Sequence, residues 1–293
     1  MLKKFEDLQR LKGSWLMVVL VFYLKKVFYL KPTKIENKIA NFYYALVKND
    51  FSIVNAFKNY VIIKNDSQNI VLALRNLPSS DIDVFYQIYV NKEYQPLIDI
   101  SRKYFFNQKV SVVIDLGGNI GLTSLFLLSE YKKAKLFIVE PEQNNIEMIN
   151  LNLKIHNNFD NQITISNAAV WSHDTKIKIL SDFRDGADWA YRAVESCSDE
   201  GTLAYSLISY CKMHNIESID ILKIDIEGTE KIIFEGSDKD LDFLKCTKII
   251  AIEIHEEVCK KNMIHDVLER YGFVVHDQGE LTFGYNLNLI DSK

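Results

Sequence analysis

The chain reads as an α/β protein built on an open, mostly parallel sheet. From Val110 onward, short apolar runs (VSVVID, KLFIVE, QITISNAAV, ILKID, IIAIEI) alternate with stretches of helical period. Apolar strands of this kind are buried on both faces, and helices between them cover a parallel sheet. The series ends in GFVVHD and LTFGYNLNLI, which have the pattern of a closing antiparallel hairpin. At 293 residues, 48% hydrophobic and 25% charged, the composition is globular and allows one large domain or a domain plus an extension.

Residues 1–108 read as that extension and 109–293 as the main domain. The apolar run from Trp15 to Leu24 is followed by Lys25 and Lys26. As a helix it reaches about 15 Å, half of a hydrocarbon core, and it lacks a signal-peptide cleavage site. Two readings stay open: a helix packed on the domain or in a dimer interface, and an interfacial helix whose lysines meet anionic headgroups. Residues 35–49 are helical, with Ile35, Ile39, Phe42, Tyr43 and Leu46 near one face. YVIIK (60–64) and IVLALR (70–75) form a hairpin, and a helix runs from about Asp83 to Phe105.

In the main domain, strands 110–115, 135–140 and 162–170 are separated by helices over 120–131 and around Ile146, Ile149 and Leu153. A strand at 176–180 and a helix around Leu203–Met213 occupy a less regular region. Strand 221–225, a helix from about Gly228, strand 249–254 and a helix ending at Gly272 complete the alternation.

Net charge is −4, but residues 1–34 hold eight Lys/Arg against Glu6 and Asp7, a local +6 on a remainder of −10. An acidic body argues against nucleic acid as a partner. Cys197, Cys211, Cys246 and Cys259 have neither C-x-x-C nor zinc spacing, which suits reduced thiols in a cytosolic compartment.

The first strand of the main domain runs into Asp115-Leu-Gly117-Gly118-Asn119-Ile-Gly121. This departs from the G-x-G-x-x-G of dinucleotide loops and puts a carboxylate before the glycines. That charge repels pyrophosphate but suits a cationic ligand with an amino group. Glu140 ends the second strand, where a carboxylate can accept both hydroxyls of a ribose, and Asn167 ends the third, where adenine can lie. Acid, glycines and a ribose acid describe S-adenosylmethionine better than NAD.

VIDLGGNIG, FIVEPEQNN, NAAVW, ILKIDIEGTE and IAIEIH, in that order, resemble the FkbM-type family of class I S-adenosylmethionine-dependent methyltransferases. SSDIDVFYQIYVNKEYQPL (79–97) resembles the segment before the first core strand in one branch of it. The resemblance covers about 60–290, and KIDIEGTE is its most discriminating element. It implies a Rossmann-like sheet and O-methylation of hydroxyls on sugars, glycolipids, polysaccharides or related metabolites. Carried over by position, Asp115, Gly117, Gly118, Asn119, Gly121, Glu140, Asn167 and Ala168 line the cofactor. The family pattern does not account for the first 34 residues.

An alcohol acceptor is scarcely ionised at neutral pH and gains from a general base. Asp225 ends the fourth core strand, Glu227 and Glu230 open the next helix, and His255 follows the fifth strand beside Glu253. His255 is the natural base by its ordinary pKa, with Asp225 and Glu227 as its companions. Carboxylates in a first helical turn also serve the helix dipole, so Glu227 and Glu230 have a structural reading too. Lys223, on a buried strand, needs a carboxylate such as Asp225 or Glu253. The acids can take Mg²⁺ through oxygen, although a metal-free site is favoured. Trp189, Tyr191 and Arg192 fit an acceptor lid, because aromatic faces stack on sugar rings; a packed surface loop fits them equally.

The expected activity is therefore a cytoplasmic O-methyltransferase, with peripheral membrane contact through residues 1–34 as one option. Its rivals are a nucleotide-dependent oxidoreductase or sugar-modifying enzyme, opposed by the Asp115-first loop, and a membrane-associated scaffold, opposed by the intact acidic set.

Overall fold

A computed structural model describes residues 11, 13–104, 109–156, 163–180, 192–196 and 201–290. The chain divides into two compact units, one of residues up to 92 with 150–157, the other of 93–149 with 158–293.

In the first unit, helices α1 (Ser14–Val27) and α2 (Lys34–Lys48) precede a three-stranded antiparallel meander of β1 (Phe51–Ala56), β2 (Tyr60–Asn65) and β3 (Ile70–Arg75). The predicted hairpin is thus joined by a third strand. Thr33 starts α2 through a capping box: its Oγ1 accepts from Glu36 N (3.1 Å) while Glu36 Oε2 accepts from Thr33 N (2.7 Å). Ile39, Phe42, Tyr43 and Leu46 are buried as their spacing predicts, but Ile35, in the first turn, stays exposed. Phe42 meets Trp15 of α1 (5.4 Å) and Phe85 (5.6 Å), and Phe85 meets Phe51 of β1 (5.2 Å), so one aromatic cluster ties helices to meander.

The predicted helix from Asp83 to Phe105 is in three pieces: α3 (Asp81–Phe85), a π turn (Tyr86–Val90) and α4 (Gln95–Tyr104). Lys92, left-handed at φ 57°, interrupts it. Helix α4 belongs to the second unit, where it packs on two strands of the main sheet.

That sheet has seven strands in the order β13-β14-β12-β11-β4-β5-β6. They are β4 (Val112–Leu116), β5 (Lys135–Glu140), β6 (Ile163–Asn167), β11 (Ile219–Ile224), β12 (Thr247–Glu253), β13 (Phe273–Gln278) and β14 (Leu281–Asn286). The first five run parallel and the last two close the edge as the predicted antiparallel hairpin. Ile114, Leu116, Leu222, Ile224, Ile250 and Ile252 are all fully buried in its core. Helices α5 (Leu122–Glu130), α6 (Gln143–His156), α8 (Glu230–Phe234) and α9 (Lys261–Arg270) alternate with the strands.

Two elements depart from expectation. Residues 162–170 form two strands: β6 ends at Asn167, and β7 (Ala169–Trp171) belongs to a second sheet of order β7-β10-β8-β9, with β8 (Thr175–Leu180), β9 (Arg192–Glu195) and β10 (Thr202–Ser206). The helix expected from Leu203 begins only at α7 (Leu207–Met213), because Leu203–Ser206 pair with β7 and β8. Ser206 instead caps α7, accepting from Ser209 N at 3.1 Å. Among the described residues, no helix is long and apolar enough to cross a membrane.

Chain connectivity reverses between β4 and its neighbours β5 and β11. In an open α/β sheet the crevice beyond such strand ends is where ligands bind.

Candidate active site

The glycine loop leaves β4 at this crevice. Gly117 has φ 77°, and its N–H and that of Gly118 donate to Val139 O at 2.9 and 3.1 Å. A Cβ on Gly117 would lie 1.7 Å from Asp225 O, and one on Gly118 would lie 2.4 Å from Ile138 Cγ2. The loop is therefore wedged between the ends of β11 and β5, where only glycine fits. Asn119 adopts φ 48° and donates its N–H to Glu140 Oε2 at 2.8 Å. Glu140 Oε1 accepts from Glu142 N (2.9 Å) and Asn145 Nδ2 (3.3 Å).

A pocket with roughly 780 Å³ of empty space opens here. Gly117, Asn119, Glu140, Ala168, Asp225 and Glu227 line it, as do residues the sequence reading did not single out, including Asn145, Trp171 and Thr229. Ala168–Trp171 reach this wall because the chain changes sheets at Ala168. Gly118 and Gly121 shape the loop beneath. Asn167 donates to Pro141 O (3.2 Å) and Glu140 O (3.4 Å), away from the lining. Trp189 and Tyr191 lie outside the described residues, and Arg192 begins β9.

Asp115 takes a different place from the one expected of a direct ligand. It is fully buried, accepts from Ser124 Oγ at 2.6 Å, and forms an ion pair with Lys223 Nζ at 3.1 Å. Lys223 stands 3.5 Å from Asp225 Oδ2 and donates to Leu116 O (3.2 Å) and Gly117 O (2.7 Å). The acid before the glycines thus anchors a lysine that bridges β4, the loop and Asp225. Register explains it: Lys223 sits opposite Asp115 in the parallel pair β11–β4.

Beyond β11, Glu227 (φ 54°) and Gly228 (φ 89°) are successive left-handed residues. A glutamate held there carries backbone strain of about 1–2 kcal/mol, a feature concentrated at functional sites. The turn is braced by Thr229 Oγ1 donating to Ile226 O (3.0 Å) and Ile226 N donating to Glu230 Oε1 (3.1 Å). Glu230 is buried and faces His255 Nδ1 at 3.1 Å. His255 Nε2 lies 3.4 Å from Glu227 Oε2 and 3.7 Å from Glu253 Oε1. Donor atoms of Asp225, Glu253 and His255 all lie within 4.8 Å of one another.

A family model for the methyltransferase FkbM domain matches residues 115–275. The chain belongs to the FkbM methyltransferase family. It is a methyltransferase that uses S-adenosylmethionine, on the α/β sheet described above. No curated protein matches the chain. Among solved structures, an S-adenosylmethionine-dependent methyltransferase from Agrobacterium tumefaciens aligns at TM-score 0.48 and 10% identity, over 80% of this chain and 72% of that one. A putative caffeoyl-CoA O-methyltransferase from Staphylococcus aureus aligns at 0.38 and 13%, over 70% and 91%. A precorrin-6y C5,15-methyltransferase from Geobacter metallireducens aligns at 0.36 and 13%, over 66% and 88%. At such distance, their acceptors say nothing about the acceptor of this FkbM methyltransferase.

The residues present fit the cofactor. Gly117 and Asn119 bring loop backbone to the pocket wall, and a carboxylate stands on each side of the pocket, Glu140 at one strand end and Asp225 with Glu227 at another. Burial pushes Glu140 up to about 7 against the hydrogen bonds from Glu142, Asn119 and Asn145 that pull it down.

Electrostatics bear on the part expected of His255. Burial alone lowers its pKa, but contacts with Glu227 and Glu230 outweigh burial and push it up to about 11. That shift favours the imidazolium form, paired with Glu227 and Glu230. The carboxylates are displaced upward as well: burial and Asp225 push Glu253 up to about 9, and burial raises Glu227. Lys223 is lowered by burial, but Asp115 and Asp225 more than offset this and hold it well above its ordinary value. Burial also raises Tyr94, a residue just before α4 that lies within electrostatic reach of Lys223, Asp225 and Glu253. Sequence reading missed Tyr94 and gave Glu253 only a secondary part. Three donors suffice geometrically for a divalent cation, but imidazole nitrogen suits Zn²⁺ or Fe²⁺ better than Mg²⁺.

Proposed function

We propose that this protein methylates a hydroxyl of a sugar, glycolipid, polysaccharide or related metabolite. One observation carries the reading: Asp225 and Glu227 line the pocket and are backed by Glu253 and a positively charged His255. An unionised alcohol needs such a base, and a carboxylate whose pKa is raised toward that of the alcohol is a better one. When bound, S-adenosylmethionine supplies an electrophilic methyl group and leaves as a neutral thioether.

Gly117, Asn119, Glu140 and Ala168 hold the cofactor in this reading, while Asp115, Gly118, Gly121 and Asn167 set the shape of the loop and strand ends. Asp225 accepts the hydrogen of the acceptor hydroxyl, and the Asp225–Glu253 pair takes the proton as it becomes acidic. His255 orients Glu227 and Glu253 and offsets the negative charge of the cluster. Trp189, Tyr191 and Arg192 are proposed to recognise the acceptor, since aromatic faces stack on sugar rings. No step needs a metal ion, so a chelator leaves the rate unchanged. The unpaired spacing of the cysteines supports a cytoplasmic enzyme.

Mass spectrometry of glycans and lipids from cells with and without the gene tests the acceptor class. A gain of one methylene mass on a hydroxylated glycan or glycolipid supports it. A methylated amine or ring carbon in place of an ether replaces it.

A further inference from the structure

The N-terminal helix carries a surface that methyl transfer does not use. Trp15 and Val19 bury one side of α1. On the other, Met17, Leu20, Val21, Leu24, Val27 and Phe28 follow one another at helical spacing and are 37–68% exposed. Tyr29 (97%) and Leu30 (58%) continue the strip beyond the helix end. Apolar exposure that is contiguous, rather than scattered, marks an interaction surface.

Charge narrows the partner. Residues 13–35 include Lys25, Lys26, Lys31 and Lys34 and no Asp or Glu. The nearest acid in sequence, Glu36, is engaged by Lys25 at 2.7 and 2.9 Å, and Lys26, Lys31 and Lys34 are exposed in the same segment, Lys26 over the Phe22 ring. We infer that this face docks on an anionic lipid bilayer, with α1 lying in the plane of the interface. At 14 residues the helix is about 21 Å long, suited to lying on a membrane rather than crossing it. A contact between two copies of this face would offer the lysines no acidic partner, since residues 13–35 hold none. Anionic headgroups receive both features: apolar side chains enter the acyl boundary and lysines meet phosphate.

This inference stands apart from the identity of the acceptor. Its test is co-sedimentation of the full chain with vesicles of phosphatidylcholine alone or with about one third phosphatidylglycerol. The expected result is binding to the anionic vesicles that falls with added salt, and falls about fivefold for each of Lys26→Gln, Lys31→Gln and Lys34→Gln. The pair Leu24→Ser/Phe28→Ser should bind at least tenfold more weakly while keeping wild-type circular dichroism and cofactor affinity, since both positions are solvent-facing. Sedimentation identical for wild type and this variant would overturn the inference, as would no binding to either vesicle. A wild-type dimer in analytical ultracentrifugation that the double variant dissolves would assign the face to a second copy instead.

Discussion

Asp225 is where cofactor pocket, buried lysine and acidic cluster meet. Asp225→Asn keeps its shape but removes its charge; kcat should fall by about 10²-fold or more, with S-adenosylmethionine affinity within tenfold in calorimetry. Unchanged kcat would remove Asp225 from proton transfer. Protonation of Glu253 predicts a pH profile. A base with pKa near 9 is protonated at pH 7, so kcat/KM for the methyl donor should climb as pH rises through about 9, then decline as the His255 imidazolium is lost toward about 11. A profile flat from about pH 6 to 9 would exclude the raised carboxylate. Sequence spacing exposed Asp225, Glu227 and His255 because each sits at the end of an apolar strand or in the motif after it. It did not expose the charge on His255, which depends on Glu230 and Glu227 surrounding a buried ring. Nor did it pair Asp115 with Lys223, since 108 positions separate them and only the register of β4 with β11 joins them.

Packing makes that pair a stability determinant. Removing the cation with Lys223→Met leaves Asp115 charged and buried, which should cost about 3–5 kcal/mol in urea unfolding; adding Asp115→Asn should recover much of it. Equal stability of single and double variants would contradict a coupled pair. At the loop, Gly117→Ala forces a Cβ into Asp225 O and disfavours φ 77°, so cofactor binding should be lost even where the protein remains folded. The regular elements were legible wherever one period ran unbroken, as in β4, β5, α9 and the final hairpin. They were obscured where local pattern and tertiary pairing disagree. The alternation of ITISNAAV continues past Ala168 although the chain changes sheets there, and LAYSLISY has helical spacing although its first half pairs with β7 and β8. The extended helix expected over 83–105 ran through Pro96, which stands in the first turn of α4 and marks a helix start just after the break at Lys92.

Across the molecule, charge and chemistry are segregated. The net −4 is an average of a lysine-rich, apolar head and an acidic body that holds the methyl-transfer site. A lipid-docking face and a lipid-linked hydroxyl acceptor are chemically consistent with each other, though either can hold without the other. The central claim concerns the atom that receives the methyl group. Incubating the protein and S-adenosylmethionine bearing a ¹³C-methyl group with glycan and glycolipid extract from cells lacking the gene tests it directly by NMR. A ¹³C methoxyl resonance that is absent with Asp225→Asn is the predicted result. Label appearing on nitrogen or carbon, or a methoxyl signal equally strong with the variant, would contradict it.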